Sequence, residues 1–146
     1  MFSKAHPWLL IPIPGLLLLA FLAGCAGQVQ SHLTLMPLDQ MPPEVRSAPA
    51  TVQQAYRFAA ANPEVMQQIP CYCGCGSLGH TSNYSCYVTS VDATGAITYD
   101  HHALGCSLCV DITQVATRLL DQGKSPTEIK AYVDATYSKY GPSNMP

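Results

Sequence analysis

Apolar residues recur at helical spacing in three stretches of the chain. Val52, Ala55, Tyr56, Ala59 and Ala60 predict a helix from about Ala50 to Ala61. Val110, Ile112, Val115, Ala116, Leu119 and Leu120 predict a second, over Val110 to Gln122 with a stop near Gly123. Ile129, Tyr132, Val133, Thr136, Tyr137 and Tyr140 form the inward stripe expected of a third, which opens on Ser125-Pro126-Thr127-Glu128, a capping box with proline in the first turn, and closes at Gly141-Pro142. Tyrosines in such a stripe are core residues, so no chemistry is assigned to them. A shorter helical restart has Asn62 as its N-cap and Pro63 at its first position, and Pro70 ends it. The pattern turns β-prone over Ser85 to Val91 and Ala96 to Tyr99, with Asp92 to Gly95 as a turn, which predicts a hairpin. The fold class expected is α+β: a small, mostly helical domain with a cysteine-rich loop and one short β-hairpin.

The N-terminal quarter has a different pattern. Lys4 and His6 form a weakly basic head, Trp8 to Leu22 is apolar, and Leu22-Ala23-Gly24 precedes Cys25, the arrangement of an export signal ending in a lipoprotein box. The apolar run is broken by Pro12, Pro14 and Gly15 and is shorter than the roughly 20 residues a membrane span requires. Residues 1–24 are therefore expected to be a lipoprotein signal peptide, with Cys25 the lipidated first residue of the mature chain. Residues 25–49, polar and punctuated by Pro37, Pro42, Pro43 and Pro49, are expected to be a flexible tether, with Met36 and Met41 incidental to it. Residues 50–146 are left as one cysteine-rich domain. The expected location is extracytoplasmic, anchored to the cell membrane through acyl chains on Cys25.

Charge removes one class of partner. Loss of residues 1–24 takes Lys4 alone and leaves six basic residues against nine acidic ones with no basic cluster, so nucleic acid has no electrostatic footprint to bind. Nor does the chain carry a nucleophile–base constellation, a phosphate loop or a carboxylate pair, and catalysis has no positive support in the sequence.

The chemistry lies in the cysteines. Cys71, Cys73 and Cys75 fall within five residues; Cys86 and the Cys106-Ser-Leu-Cys109 pair follow, with His80, His101 and His102 interleaved. In extended backbone Cys71, Cys73 and Cys75 share one face, and Gly74 and Gly76 allow the segment to bend so that the sulfurs converge. Cys109 stands at a helix start, where free N–H groups favour thiolate. His80, five residues beyond the triplet, is a candidate ligand. His101 and His102 point opposite ways in extended chain, so one of them faces the site; His102, four residues from Cys106, is the one expected to. His6 and His32 are incidental.

The stretch Pro70 to Cys75 resembles the motif of a family of bacterial lipoproteins defined by Pro-Cys-Tyr-Cys-Gly-Cys. Gly79-His80, Ser82-Asn83-x-x-Cys86, Cys106-x-x-Cys109-Val110-Asp111 and Gly123-Lys124 extend the resemblance over Tyr56 to Pro146. It implies an exported, membrane-anchored domain with a thiol cluster at fixed positions and no settled activity.

Thiolates select Cu(I), zinc or iron–sulfur clusters, and imidazole suits the first two. One structural zinc needs four ligands, fewer than the six thiols and three imidazoles on offer. The expected site is therefore a shared metal cluster of Cys71, Cys73, Cys75, Cys86, Cys106, Cys109, His80 and His102. Cu(I) is favoured and zinc is the alternative. The expected partners are the membrane, the metal ion and another exported metal-handling protein. Two further readings stand beside this one. An exported domain with six cysteines is by default a disulfide framework, whose bridges would join the triplet to Cys86, Cys106 and Cys109. Cys106 and Cys109 before a helix also have the local electrostatics of a redox pair, although the βαβ context of such motifs is missing.

Overall fold

The computed structural model describes residues 33–145. Its elements are α1 (Pro43–Arg46), α2 (Ala50–Ala61), α3 (Pro63–Met66), β1 (Val88–Val91), β2 (Ile97–Tyr99), α4 (His102–Gly105), α5 (Ser107–Asp121) and α6 (Pro126–Tyr137). Among the described residues no helix is long and apolar enough to cross a membrane. The small, mostly helical α+β domain with one antiparallel hairpin is the architecture expected from the pattern.

Helix α5 is the central element, packed against α2 on one side and α6 on the other. It buries Cys109, Val110, Ile112, Val115 and Ala116, and with them Thr113 and Thr117, which sequence pattern leaves out. These threonines are tolerated inside because Thr113 Oγ1 donates to the Cys109 carbonyl and Thr117 Oγ1 to the Thr113 carbonyl. The helix ends at Gly123, whose φ of +79° lets the Lys124 and Gly123 N–H groups reach the carbonyls of Leu119 and Leu120.

Helix α6 begins at the predicted capping box, with Ser125 Oγ accepting from the Glu128 N–H and the Glu128 carboxylate accepting from the Ser125 N–H. Its inward stripe is narrower than expected. Ile129, Val133 and Tyr137 are buried, whereas Tyr132 and Tyr140 are exposed. Asn62 does occupy the position before α3, but its side chain does not cap that helix; its Nδ2 donates to the carbonyls of Thr34 and Phe58.

The hairpin is shorter than its β-prone runs. Val88, Ser90 and Val91 pair with Tyr99, Thr98 and Ile97, and a bulge falls between Val88 and Ser90. Asp92 Oδ1 closes the turn by accepting from the Thr94 and Ala96 N–H groups. Ser85 and Cys86 lie outside the strand, in a 3₁₀ turn over Tyr84–Cys86.

The tether reaches less far than residues 25–49. Met41 and Val45 are buried in the core, and the segment from residue 33 is tied along α2: Arg57 Nε donates to the Met36 carbonyl at 2.7 Å and the Met36 N–H to the Arg57 carbonyl at 3.0 Å. Prolines at this density look like a linker, yet here they deliver isolated apolar residues into the core without any helical period. The expected signal peptide, the expected lipidation site Cys25, and His6 and His32 lie outside the described residues.

Candidate metal centre

Three segments meet at one end of α5. The first is the loop that follows Pro70. An extended run would place residues four apart about 13 Å from each other, yet the Sγ atoms of Cys71, Cys73 and Cys75 all lie within 4.8 Å of one another. The bend at Gly74 makes the difference: its φ of +84° turns the chain into a 3₁₀ turn over Cys75–Leu78. Gly79, at φ +88°, closes that turn. Gly76 is not a left-handed position, so the second hinge of the loop is Gly79 and not Gly76. The second segment is the 3₁₀ turn that carries Cys86. The third is the α4–α5 junction, where Cys106 is the extended residue before α5 and Cys109 lies in the helix's first turn.

The sulfurs converge. Cys71 Sγ lies 3.4 Å from both Cys73 and Cys109, Cys73 is 3.6 Å from Cys109, Cys106 is 3.2 Å from Cys109, and Cys75 is 3.7 Å from Cys86. The six cysteines among the described residues are not disulfide-bonded, and Cys71, Cys73 and Cys109 each have several sulfurs within reach. Four thiolates about 2.3 Å from a tetrahedral ion sit about 3.8 Å apart, close to the spacings seen here.

Two imidazoles complete the group. His102 Nε2 is 3.4 Å from Cys73 Sγ, and the His80 and His102 rings meet edge to face at 5.2 Å. His101 points away, exposed, with Nε2 2.9 Å from Glu44 on the surface. Two overlapping sets of four ligand atoms result, each mutually within 4.8 Å: Cys73, His102, Cys106 and Cys109, and Cys75, His80, Cys86 and His102. Cys71 belongs to neither set but reaches both, through Cys73 and Cys109 on one side and Cys75 and Cys86 on the other. Cys73, His102 and Cys106 are half-buried and form the edge of the centre, while Cys71, Cys75, Cys86 and Cys109 are buried. All eight expected ligands are therefore in one place, and this group can hold a metal ion.

The thiols are shifted in opposite directions. Hydrogen bonds from Cys109 and then Cys86 hold the Cys71 thiol well below the ordinary range. Burial, and then for Cys75 the charge on Cys71, pushes the Cys73 and Cys75 thiols up. Hydrogen bonding with Cys71 and then Cys86, together with burial, pushes the Cys109 thiol up, against the thiolate expected at a helix start. Thiols ligate as thiolates, so a cation that entered the centre would displace their protons.

Supporting residues hold the ligands in place, and sequence pattern does not show most of them. Asn144, in the C-terminal tail, brackets the loop: its Oδ1 accepts from the Cys71 N–H at 2.7 Å, its own N–H donates to the Cys71 carbonyl at 3.0 Å, and its Nδ2 lies 3.5 Å from Cys75 Sγ. Nothing local marks Asn144 for this. The Cys109 carbonyl accepts from Tyr87 Oη, Asn83 Nδ2 and Thr113 Oγ1, which fixes the first turn of α5. Tyr72 Oη donates to Asp134 at 2.6 Å and ties the loop to α6. Asp100 lies against His80 and the start of α4; a carboxylate next to His101-His102 was a signal the sequence did contain.

The fold and centre define a class: a small α+β domain built around a cysteine and histidine cluster. Residues 22–146 match the family described as protein of unknown function with PCYCGC motif, and the chain belongs to that family. The match reaches further towards the N-terminus than Tyr56. No curated protein and no solved structure matches the chain.

Proposed function

We propose that this protein binds a thiophilic transition metal, Cu(I) ahead of zinc, as more than one ion per chain, and handles that metal outside the cytoplasm. The observation that carries the proposal is six unbonded cysteine sulfurs, with neighbours 3.2 to 3.7 Å apart, gathered with two imidazoles. Soft ligands in excess of four favour a shared cluster, and Cu(I) suits thiolates that are this close. Cys71, within reach of both ligand sets, is the natural bridging thiolate. The half-buried edge of Cys73, Cys106 and His102 offers a point of exchange with another exported metal-handling protein.

A specific observation keeps zinc as the second reading. One of the two sets is three cysteines and a histidine, the other two and two, both combinations that structural zinc sites use. Metal analysis of anaerobically purified protein, paired with thiol counting, separates the cases. The expected result is six reduced thiols and more than one Cu(I) retained against a chelator. Zinc in equal amount under copper competition favours the second reading. Three intact disulfides with no copper uptake overturn both, and one reversibly cycling disulfide at Cys106 and Cys109 favours thiol–disulfide exchange.

The location belongs to the same proposal and rests on the lipoprotein box before Cys25. In a host that processes lipoproteins the protein is expected in the membrane fraction, and Cys25→Ser is expected to abolish lipid attachment. An uncleaved, unlipidated wild-type chain would refute it.

A further inference from the structure

His80 is the ligand candidate whose two ring nitrogens meet different surroundings. Its side chain is only 10% exposed, and Nε2 lies 3.5 Å from Asp100 Oδ2. Nδ1 is buried and has no hydrogen-bond partner in the protein. Buried polar atoms are almost always paired, because an unpaired one gives up its hydration for nothing. His80 also falls within ligand reach of Cys75 and Cys86. With Nε2 facing Asp100, Nδ1 is the nitrogen left for those sulfurs and for an ion among them.

Asp100 is itself held from several sides. Oδ1 accepts from the His102 N–H at 2.7 Å, and Thr89 Oγ1 donates to Oδ2 at 3.4 Å. Its main chain is fixed as well, the N–H donating to the Tyr87 carbonyl and the carbonyl accepting from Tyr56 Oη. The carboxylate therefore touches both imidazole-bearing residues: the ring of His80 and the backbone of His102, at the start of α4. A ligating histidine whose second nitrogen donates to a carboxylate is fixed in tautomer and orientation and made more basic.

We infer that Asp100 is a positioning residue, which holds His80 as the Nε2–H tautomer so that Nδ1 ligates a metal ion together with Cys75 and Cys86. This rests on the metal-binding function proposed above. His80 and Asp100 thereby distinguish the inner ligand set from the edge set of Cys73, His102, Cys106 and Cys109.

Two measurements test this. Long-range nitrogen–proton NMR of the reduced, metal-free protein reads the tautomer directly, and His80 is expected to carry its proton on Nε2. A wild-type His80 protonated on Nδ1 overturns the inference without any variant having to fold. Titration with Co(II), whose thiolate charge-transfer bands report each ion bound, is then run on wild type, His80→Ala and Asp100→Asn. In Asp100→Asn the single carbonyl oxygen serves the His102 N–H and the amide N–H₂ faces His80, so the tautomer inverts; the affinity for one ion is expected to fall about 10- to 100-fold while the other is retained. His80→Ala is expected to lose the same ion. Asp100→Asn with wild-type tautomer and affinities overturns the positioning role alone. A wild-type protein that takes up neither Co(II) nor Cu(I) overturns the function itself, and the positioning role with it.

Discussion

Cys71 and Cys106 differ in what surrounds them, and substitution of each has a different consequence. Cys71 is fully buried and lies within reach of four other sulfurs, two beside each ligand set, whereas Cys106 is half-buried and sits at the edge. In the proposed centre of more than one ion, removing a bridging sulfur would uncouple the ions, and removing an edge sulfur would weaken one of them. Cys71→Ser is thus expected to turn cooperative filling by Cu(I) into two independent steps, and Cys106→Ser to weaken only one step. Titration against a Cu(I) chelator distinguishes the two, and wild-type cooperativity in Cys71→Ser would refute the bridging role. The paired histidines provide a control at the same scale. His102→Ala is expected to lower metal affinity and His101→Ala to leave it unchanged, since His101 makes only an exposed contact with Glu44, of a kind worth little.

At the scale of elements, the loop that presents the cysteines depends on backbone conformation more than on contacts. Gly74 sits at φ +84° with open space where a Cβ would go, so Gly74→Ala introduces strain without a clash, expected to cost about 1 kcal/mol in urea unfolding. Gly76→Ala meets Asn144 at an ordinary 3.5 Å and is expected to be nearly neutral, although sequence alone makes the two glycines look equivalent. Helix α6 offers a pH-dependent test. The Ser125 N–H and then Lys124 hold the Glu128 carboxyl down to about 2, below the about 4.3 of an unfolded chain. A group whose folded value is depressed contributes stability above the unfolded value and loses it as pH falls through the folded one. The gap in urea midpoint between wild type and Glu128→Ala is therefore expected at neutral pH and to close on acidification from about pH 5 towards pH 2. A gap that persists at pH 2 would place its origin in helix propensity and not in the charge. This capping box was legible because all of its parts fall within four residues. The start of α5 was not, since Cys106 makes no side-chain cap and Ser107 to Cys109 continue the helix without an apolar period of their own.

For the whole molecule, what could be read from sequence depended on how far apart the cooperating residues stand. The three long helices, the hairpin and the cysteine and histidine groups follow from local spacing. The burial of Met41 and Val45 and the clamp of Asn144 on Cys71 join residues far apart in the chain, and no local pattern records them. The contacts of Asn144 fall at the centre, where the cysteine loop, the Cys86 turn, the start of α5 and the C-terminal tail meet. The unfolded chain has no such convergence, so an ion bound there stabilises the folded state by mass action, by about 2.7 kcal/mol when free metal exceeds the dissociation constant a hundredfold. Chelation of the loaded protein is expected to lower its unfolding temperature, and to do so in proportion to the logarithm of free metal before chelation. Hydrogen exchange should speed up first in the loop from Cys71 to Gly79 and in the first turn of α5, and least in α6 beyond Ile129. Asn144→Ala adds a second arm. Without the Oδ1 that accepts from the Cys71 N–H and the Nδ2 beside Cys75 Sγ, the metal-free loop is less ordered even though the backbone bond to the Cys71 carbonyl remains, and ordering it then comes out of the binding free energy, so metal affinity is expected to fall although every ligand remains. If loaded and chelated protein unfold at the same temperature, the sulfurs do not share an ion, and the cluster is a structural feature of the core.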